Sequence, residues 1–209
     1  MSRARHDATR ARVVILAGPS GAGKTRVANR LQAEYGWPVV RLDNFYRDHD
    51  DPDLPWDESL GIVDWDHPGS WNAAAALAAL TELVEHGRTR TPTYDIAASR
   101  AVGSEELSCA ATDLILAEGI FAAELIADLS EQGLLRAAYC VRNGPWRTFG
   151  FRLLRDFAER RKPPLVLLRR GWALKQAQPG MVKHLSRLGA IPVTGAEVEA
   201  AFRSAMTPP

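Results

Sequence analysis

One stretch limits the fold more than any other: Val13 to Thr25, which reads Val-Val-Ile-Leu-Ala-Gly-Pro-Ser-Gly-Ala-Gly-Lys-Thr. An apolar, β-branched run is cut by glycines, and a helical pattern begins at once. Gly18, Gly23, Lys24 and Thr25 fill the template G-x-x-x-x-G-K-[ST], with Pro19, Ser20, Gly21 and Ala22 between them. Glycine lets a backbone curl closely around a polyphosphate, so that successive N–H groups face its oxygens. A helix starting directly afterwards adds the positive end of its dipole. Lys24 can set a compact charge at the β- and γ-phosphates, and the Thr25 hydroxyl can take a Mg²⁺ site. Gly18 to Thr25 is therefore the candidate nucleotide cradle.

A chain of 209 residues suits one α/β domain with a real core. A formal net charge of +1 excludes the broad basic field of a general nucleic-acid binder. The basic stretch Arg160 to Arg170 lacks the interleaved aromatics of a stacking platform. Cys109 and Cys140 are the only cysteines, which gives no disulfide framework and no metal-ligand spacing; the expected compartment is a reducing cytoplasm. No apolar run approaches the ~20 residues that span a bilayer. Met1 to Arg12 is basic and is expected to fray.

After the loop, Arg26 to Tyr35 reads as a helix with Val27, Leu31 and Tyr35 on one stripe and Gly36 ending it. Val39 to Leu42 reads as a short buried strand. In open parallel sheets the ligand crevice lies at the carboxyl ends of strands, so Asp43 is expected beside the phosphate loop. Arg47 to Gly69 is a long acidic loop with five prolines or glycines between Pro52 and Gly69. A loop of that length in a compact domain is usually functional or disordered. An Ala-rich helix follows from about Trp71 to His86, with Trp71, Leu77, Leu80 and Val84 as its buried stripe. Thr89 to Ile96 and Glu105 to Ala110 are expected to pair as a hairpin around Ser99 to Gly103.

Asp113 to Ala117 reads as a strand in the sheet centre, with Glu118-Gly119 at its carboxyl end. A helix from about Phe121 to Glu131 and a strand from about Arg136 to Val141 come next. Pro145 opens a helix to about Arg161, with Phe149, Leu153 and Phe157 inward. After Pro163-Pro164 lie a segment Leu165 to Gln176, a helix Met181 to Leu188, a strand Ala190 to Val193 and a helix Glu197 to Met206. Strand and helix alternate, which argues a parallel sheet of about five strands with helices on both faces, the P-loop kinase architecture. Residues 1–209 read as one domain, with 88–110 a hairpin lining an acceptor pocket and about 145–176 a lid region.

Several separated stretches together resemble the uridine kinase family of P-loop nucleoside kinases. They are Gly18 to Thr25, Asp43-Asn-Phe-Tyr46, Asp66-His-Pro68 with Pro92-Thr-Tyr-Asp95, Glu118-Gly-Ile120, and the helical Arg152-x-x-Arg155-Asp156-x-x-Glu159-Arg160. Their order and spacing follow the family from about Val13 to Arg161. The resemblance implies an ATP- and Mg²⁺-dependent transfer of the γ-phosphoryl group to the 5′-hydroxyl of a pyrimidine ribonucleoside. It implies Asp43 as catalytic base, the alternative being an Asp that caps a turn. Glu118 resembles the acidic residue that joins Thr25 at the metal, the alternative being a carboxylate that only favours a helix dipole. Arg152, Arg155 and Arg160 resemble the lid arginines that close over phosphates and ribose, where planar guanidinium forks suit phosphate oxygens; a solvated basic face is the other reading. Asp66 resembles the ribose-binding residue, and Tyr46 and Tyr94 the nucleoside-pocket rings; a turn cap and a packed hairpin aromatic are their alternatives.

The sequence departs from that family where the base is recognised. Ser99 stands in place of a histidine, Ile96 in place of a stacking aromatic, and Arg161 in place of the lid glycine. Phosphate handling looks intact while the acceptor pocket is altered. Two other readings therefore stand beside the first: a kinase of another hydroxyl-bearing metabolite, of pantothenate or sugar type, and a non-catalytic ATP-binding regulatory protein. Asp43, Glu118 and the arginines argue against the last, because a binder needs no base beside the γ-phosphate.

Overall fold

In the computed structural model, residues 10–58, 61–143 and 179–206 are described. The apolar run Arg12–Ala17 forms β1, and its alternation decides the layering. Val14 and Leu16 join one buried cluster, while Val13, Ile15 and Ala17 join another. Neighbouring side chains of a strand point to opposite faces, so a strand buried throughout must be covered on both. Helices α1 (Lys24–Tyr35) and α4 (Gly195–Met206) cover the first face through Val27, Leu31, Val198 and Phe202. Helices α2 (Ala73–His86) and α3 (Ile126–Glu131), with the helical stretch 179–187, cover the second through Leu80, Leu83, Leu129 and Leu185.

Among the described residues the sheet has five strands, all parallel. β1 lies between β7 (Leu114–Glu118) and β8 (Leu135–Val141); β2 (Val39–Arg41) flanks β7 and β9 (Ile191–Val193) flanks β8. The expected α/β architecture and strand number hold, with β1 at the centre and the Leu114–Glu118 strand beside it. Strands β5 (Arg88–Asp95) and β6 (Arg100–Ser108) form a separate antiparallel hairpin against α2. In the long loop, β3 (Trp56–Asp57) and β4 (Ile62–Val63) pair as a small ladder. Among the described residues, no helix is long and apolar enough to cross a membrane.

Several boundaries differ from expectation for identifiable reasons. The helical pattern of α2 starts after Trp71, because the Asn72 carboxamide accepts the Ala75 N–H at 3.0 Å and caps the helix. Trp71 itself is extended, bridges Tyr46, and donates its indole N–H to the Leu42 carbonyl at 2.7 Å. The hairpin turn is Ile96 to Ser99, not Ser99 to Gly103: the Asp95 carboxylate accepts the Ala97 N–H at 2.8 Å, and Ser99 adopts φ 50°. The segment after Phe121 is a 3₁₀ turn, Ala122–Leu125, before α3 begins. Its near-continuous burial does not suit one amphipathic helix. The basic tail ends earlier than Arg12, since Ala11 is buried and Arg12 opens β1. The expected helix at 145–161 and segment 165–176 lie outside the described residues.

One contact makes the phosphate loop inseparable from the sheet. A Cβ on Gly18, at φ +141°, would sit 2.3 Å from the Val141 carbonyl oxygen at the end of β8. Gly18→Ala is therefore expected to cost ~1–3 kcal/mol of stability through overpacking and backbone strain. Gly36→Ala, at φ +76° with nothing within 4 Å, should cost less. Thermal unfolding of both variants is the check; equal midpoints for Gly18→Ala and wild type would contradict this packing.

Candidate active site

β1 runs directly into the loop. The Ala22 N–H returns to the Pro19 carbonyl at 3.1 Å, and Gly23, at φ 93°, forms the N-cap of α1. Above the loop lies a cleft of about 530 Å³. Its walls are Ser20 to Val27, with Asp43, Glu118 and Ile120 from the ends of β2 and β7. Asn143 after β8, Thr194 before α4, and Gly195, Ala196 and Glu199 on α4 complete it. Gly18 packs on β8, and Pro19 contributes a carbonyl to Lys24, so the wall itself begins at Ser20. Lys24 is buried, and its ammonium donates to the Gly18 carbonyl at 2.8 Å.

Glu118 is the most buried carboxylate of the cleft. Both its oxygens lie 3.2 Å from the Thr25 hydroxyl, and Arg41 pairs with one of them at 3.4 Å. Burial raises its pKa, and the Asp43 charge adds to that; Lys24, Arg41 and the Thr25 hydrogen bond oppose it. Asp43 sits in a 3₁₀ turn, Leu42–Phe45, immediately after β2. Its Oδ1 accepts the Ile120 N–H at 3.0 Å, which holds the carboxylate against the end of β7. A Cβ on Gly119 would stand 2.9 Å from that same oxygen, so glycine is what allows Asp43 to close in.

Beside Asp43 three half-buried rings gather on Tyr46. Trp65 and Tyr94 lie 5.9 Å from it and Phe121 lies 6.0 Å away, between ring centroids. Burial raises the Tyr46 pKa, and the charges of Asp43 and Asp66 add to it. Both carboxylates therefore act on this ring electrostatically. The Tyr94 hydroxyl donates to the Arg47 carbonyl at 2.9 Å, and burial pushes its pKa up to about 12. Asp66 is exposed and its backbone N–H is tied to Asp64 at 3.1 Å. Thus Lys24, Thr25, Asp43 and Glu118 share one cleft, while Tyr46, Asp66 and Tyr94 form the neighbouring cluster. Arg152, Arg155 and Arg160 lie outside the described residues.

Two further polar residues of the site escaped sequence reading. Arg41 reaches both Glu118 and, at 3.3 Å, the Asn29 carboxamide oxygen. Only the pairing of β2 with β7, which sets Arg41 opposite Glu118, brings it there. Asn143 donates from Nδ2 to the Ala22 carbonyl at 2.8 Å. It stands two residues past the end of β8, as Asp43 stands two past β2, and that shared position was the available signal.

Comparison with known proteins agrees with this layout. The Phosphoribulokinase / Uridine kinase family model matches residues 13–133. A uridine kinase of Brevibacillus brevis is 27% identical over 150 residues, covering 69% of this chain and 66% of that protein. A uridine kinase of Saccharomyces cerevisiae is 28% identical over 116 residues, covering 53% of this chain and 22% of that protein. The chain thus matches from about a fifth to about two-thirds of the length of these relatives. A candidate fructose transport system kinase from Silicibacter sp. TM1040 shares the fold, with a TM-score of 0.59 and 16% identity over 88% of each chain. With more than half of its residues matched, the chain belongs to the Phosphoribulokinase / Uridine kinase family.

Proposed function

We propose that this chain is an ATP-dependent kinase that transfers the γ-phosphoryl group of ATP to the 5′-hydroxyl of a pyrimidine ribonucleoside, uridine or cytidine. The observation that carries the reading is the shared cleft: Asp43 opens onto the same space as the phosphate loop. Phosphoryl transfer asks for positioning, charge neutralisation and a group that receives the hydroxyl proton. Ser20 to Thr25 hold the polyphosphate, and Lys24 supplies a cation at the β- and γ-phosphates. Asp43, with one oxygen fixed by Ile120, orients the acceptor hydroxyl and takes its proton as the new O–P bond forms and ADP leaves. The proposal gives Arg152, Arg155 and Arg160, which lie outside the described residues, the role of lid arginines: guanidinium groups over the phosphates would exclude water, so that ATP is transferred rather than hydrolysed.

The residues fit a magnesium ion. Mg²⁺ prefers hard oxygen donors and combines one or two protein ligands with substrate phosphates and waters. The Thr25 hydroxyl and the Glu118 carboxylate, 3.2 Å apart, are such a pair. When bound, the ion neutralises charge that builds up on the phosphates during transfer. Beyond Asp43, the rings around Tyr46 and the Asp66 carboxylate suit a ribose: a carboxylate accepts two vicinal hydroxyls while rings cover the apolar face. The cytoplasm is the compartment proposed.

A second reading has its own observation. Ile96 points into solvent, 59% exposed, and the Ser99 hydroxyl donates to the Ile96 carbonyl within the hairpin turn. Neither residue offers a base a stacking ring or a hydrogen-bonding edge. That favours an acceptor without a pyrimidine, a sugar-like or pantothenate-like alcohol, at the same catalytic centre.

ADP release with ATP and a panel of alcohols separates these readings. Stimulation by uridine or cytidine is expected; stimulation by sugars or pantothenate alone selects the second reading, and only slow, acceptor-independent hydrolysis contradicts both. Asp43→Asn should lower kcat by roughly 10²-fold or more, the scale of a lost general base; near-normal turnover removes Asp43 from that role. Glu118 gives a stability test with a definite sign. Its pKa is raised on folding, so its favourable contribution is present at low pH and lost as pH rises through the folded value. Glu118→Gln should therefore raise the thermal midpoint near neutral pH, with the gain shrinking toward about pH 4, while turnover falls. A lowered midpoint at neutral pH would contradict the assignment of burial as the dominant effect.

A further inference from the structure

We propose that Asn143 is a positioning residue for the phosphate donor, acting by fixing one peptide plane of the nucleotide cradle; the proposal rests on the kinase reading above. The Ala22 carbonyl has no place in the helix ladder, because α1 begins with the Val27 N–H bonding to the Gly23 carbonyl at 3.0 Å. Ala22 is 1% exposed, and a buried carbonyl outside regular structure needs a partner. Asn143 Nδ2 supplies one at 2.8 Å. In a trans peptide the carbonyl and the following N–H point in opposite directions. Holding the Ala22 carbonyl toward Asn143 therefore sets the direction of the Gly23 N–H, a donor at the mouth of α1.

The anchor is itself rigid. Asn143 follows β8, whose Cys140 pairs with Ala17, the last residue before the loop. The Arg142 N–H donates to the Val193 carbonyl at 2.8 Å, locking the backbone beside Asn143 to β9. Gly23, at φ +93°, has the Asn143 amide nitrogen 3.8 Å from where a Cβ would stand, so the amide lies against the turn it controls. Without this hydrogen bond the Ala22–Gly23 peptide can rotate, and the cradle must be ordered again each time a polyphosphate binds. The effect belongs to donor binding and not to the acceptor.

The test measures binding of a non-hydrolysable ATP analogue with Mg²⁺ by calorimetry, alongside steady-state kinetics, for wild type and three variants. Asn143→Leu keeps the size without the donor, Asn143→Asp replaces the donor by an acceptor, and Asn143→His retains an N–H at similar reach. Leu and Asp should each weaken analogue binding and raise the KM for ATP by roughly tenfold, the scale of one lost hydrogen bond in a buried site, with the acceptor KM unchanged. His should restore binding to within about threefold of wild type, on the same scale. Unchanged analogue binding in Leu and Asp overturns the proposal and leaves the kinase reading standing. Parallel losses in thermal midpoint, donor KM and acceptor KM that His does not rescue also overturn it, since they mark a merely structural role. A wild-type chain that binds no analogue removes the kinase reading and this proposal together.

Discussion

The register of β1 between its two neighbours is the constraint on which the site depends. Leu16 stands opposite Glu118 on β7, and Ala17 stands opposite Cys140 on β8. The strands are parallel, so their carboxyl ends come out on one edge, and each delivers its next residues to the same place. β1 delivers the phosphate loop, β7 delivers Glu118, β2 delivers Asp43 and β8 delivers Asn143. A one-residue slip of β1 would turn Val14 and Leu16 to the face now filled by Val13, Ile15 and Ala17. It would also carry the loop away from the Val141 carbonyl that Gly18 alone can approach. Core packing and site geometry are therefore enforced by the same pairings.

The site runs against stability in a way that the rest of the core does not. Lys24 and Glu118 are buried, and each is compensated locally: the ammonium by loop carbonyls, the carboxylate by Thr25 and Arg41. The burial cost of Glu118 still exceeds what its partners return, as the direction of its pKa shift requires. A group that folding alone disfavours, set beside a polyphosphate cradle, is what a cation-handling role demands. Compensation comes from the two apolar clusters on either side of the sheet, where β1 and β7 contribute side chains with no exposure at all.

Much of this was legible in the sequence because the informative features are local. The glycines and Lys24-Thr25 announce the loop, and the buried runs at Val13 and Leu114 announce inner strands. The polar residues just past the strand ends, Asp43 and Glu118, follow from the rule that parallel sheets bind ligands at their carboxyl edge. What escaped was set by pairing across the fold. Arg41 meets Glu118 only because β2 is the neighbour of β7, and Asn143 meets Ala22 only because β8 lies beside β1. Trp71 looked like a helix residue by its spacing, yet its indole is used to hold the turn that carries Asp43. The hairpin turn lies before Ser99 to Gly103 because the Asp95 carboxylate, by accepting the Ala97 N–H, supplies the turn chemistry.

The acceptor side is organised around Tyr46. Three rings surround it, the charges of Asp43 and Asp66 act on it, and its bridge to Trp71 and the Arg47 hydrogen bond to the Gly69 carbonyl tie it to the segment Gly69–Trp71. The donor side rests on the loop. Asp43 belongs to both, standing in the wall of the cleft while its charge acts on Tyr46. A crystal structure of the chain with Mg²⁺, a non-hydrolysable ATP analogue and a bound acceptor tests this position between the two sides. The γ-phosphate is expected between Lys24 and Asp43, with the acceptor hydroxyl at ~2.6–3.2 Å from the Asp43 carboxylate. An acceptor lodged elsewhere, or an Asp43 side chain turned away from the phosphates with packed side chains in the gap, would contradict it.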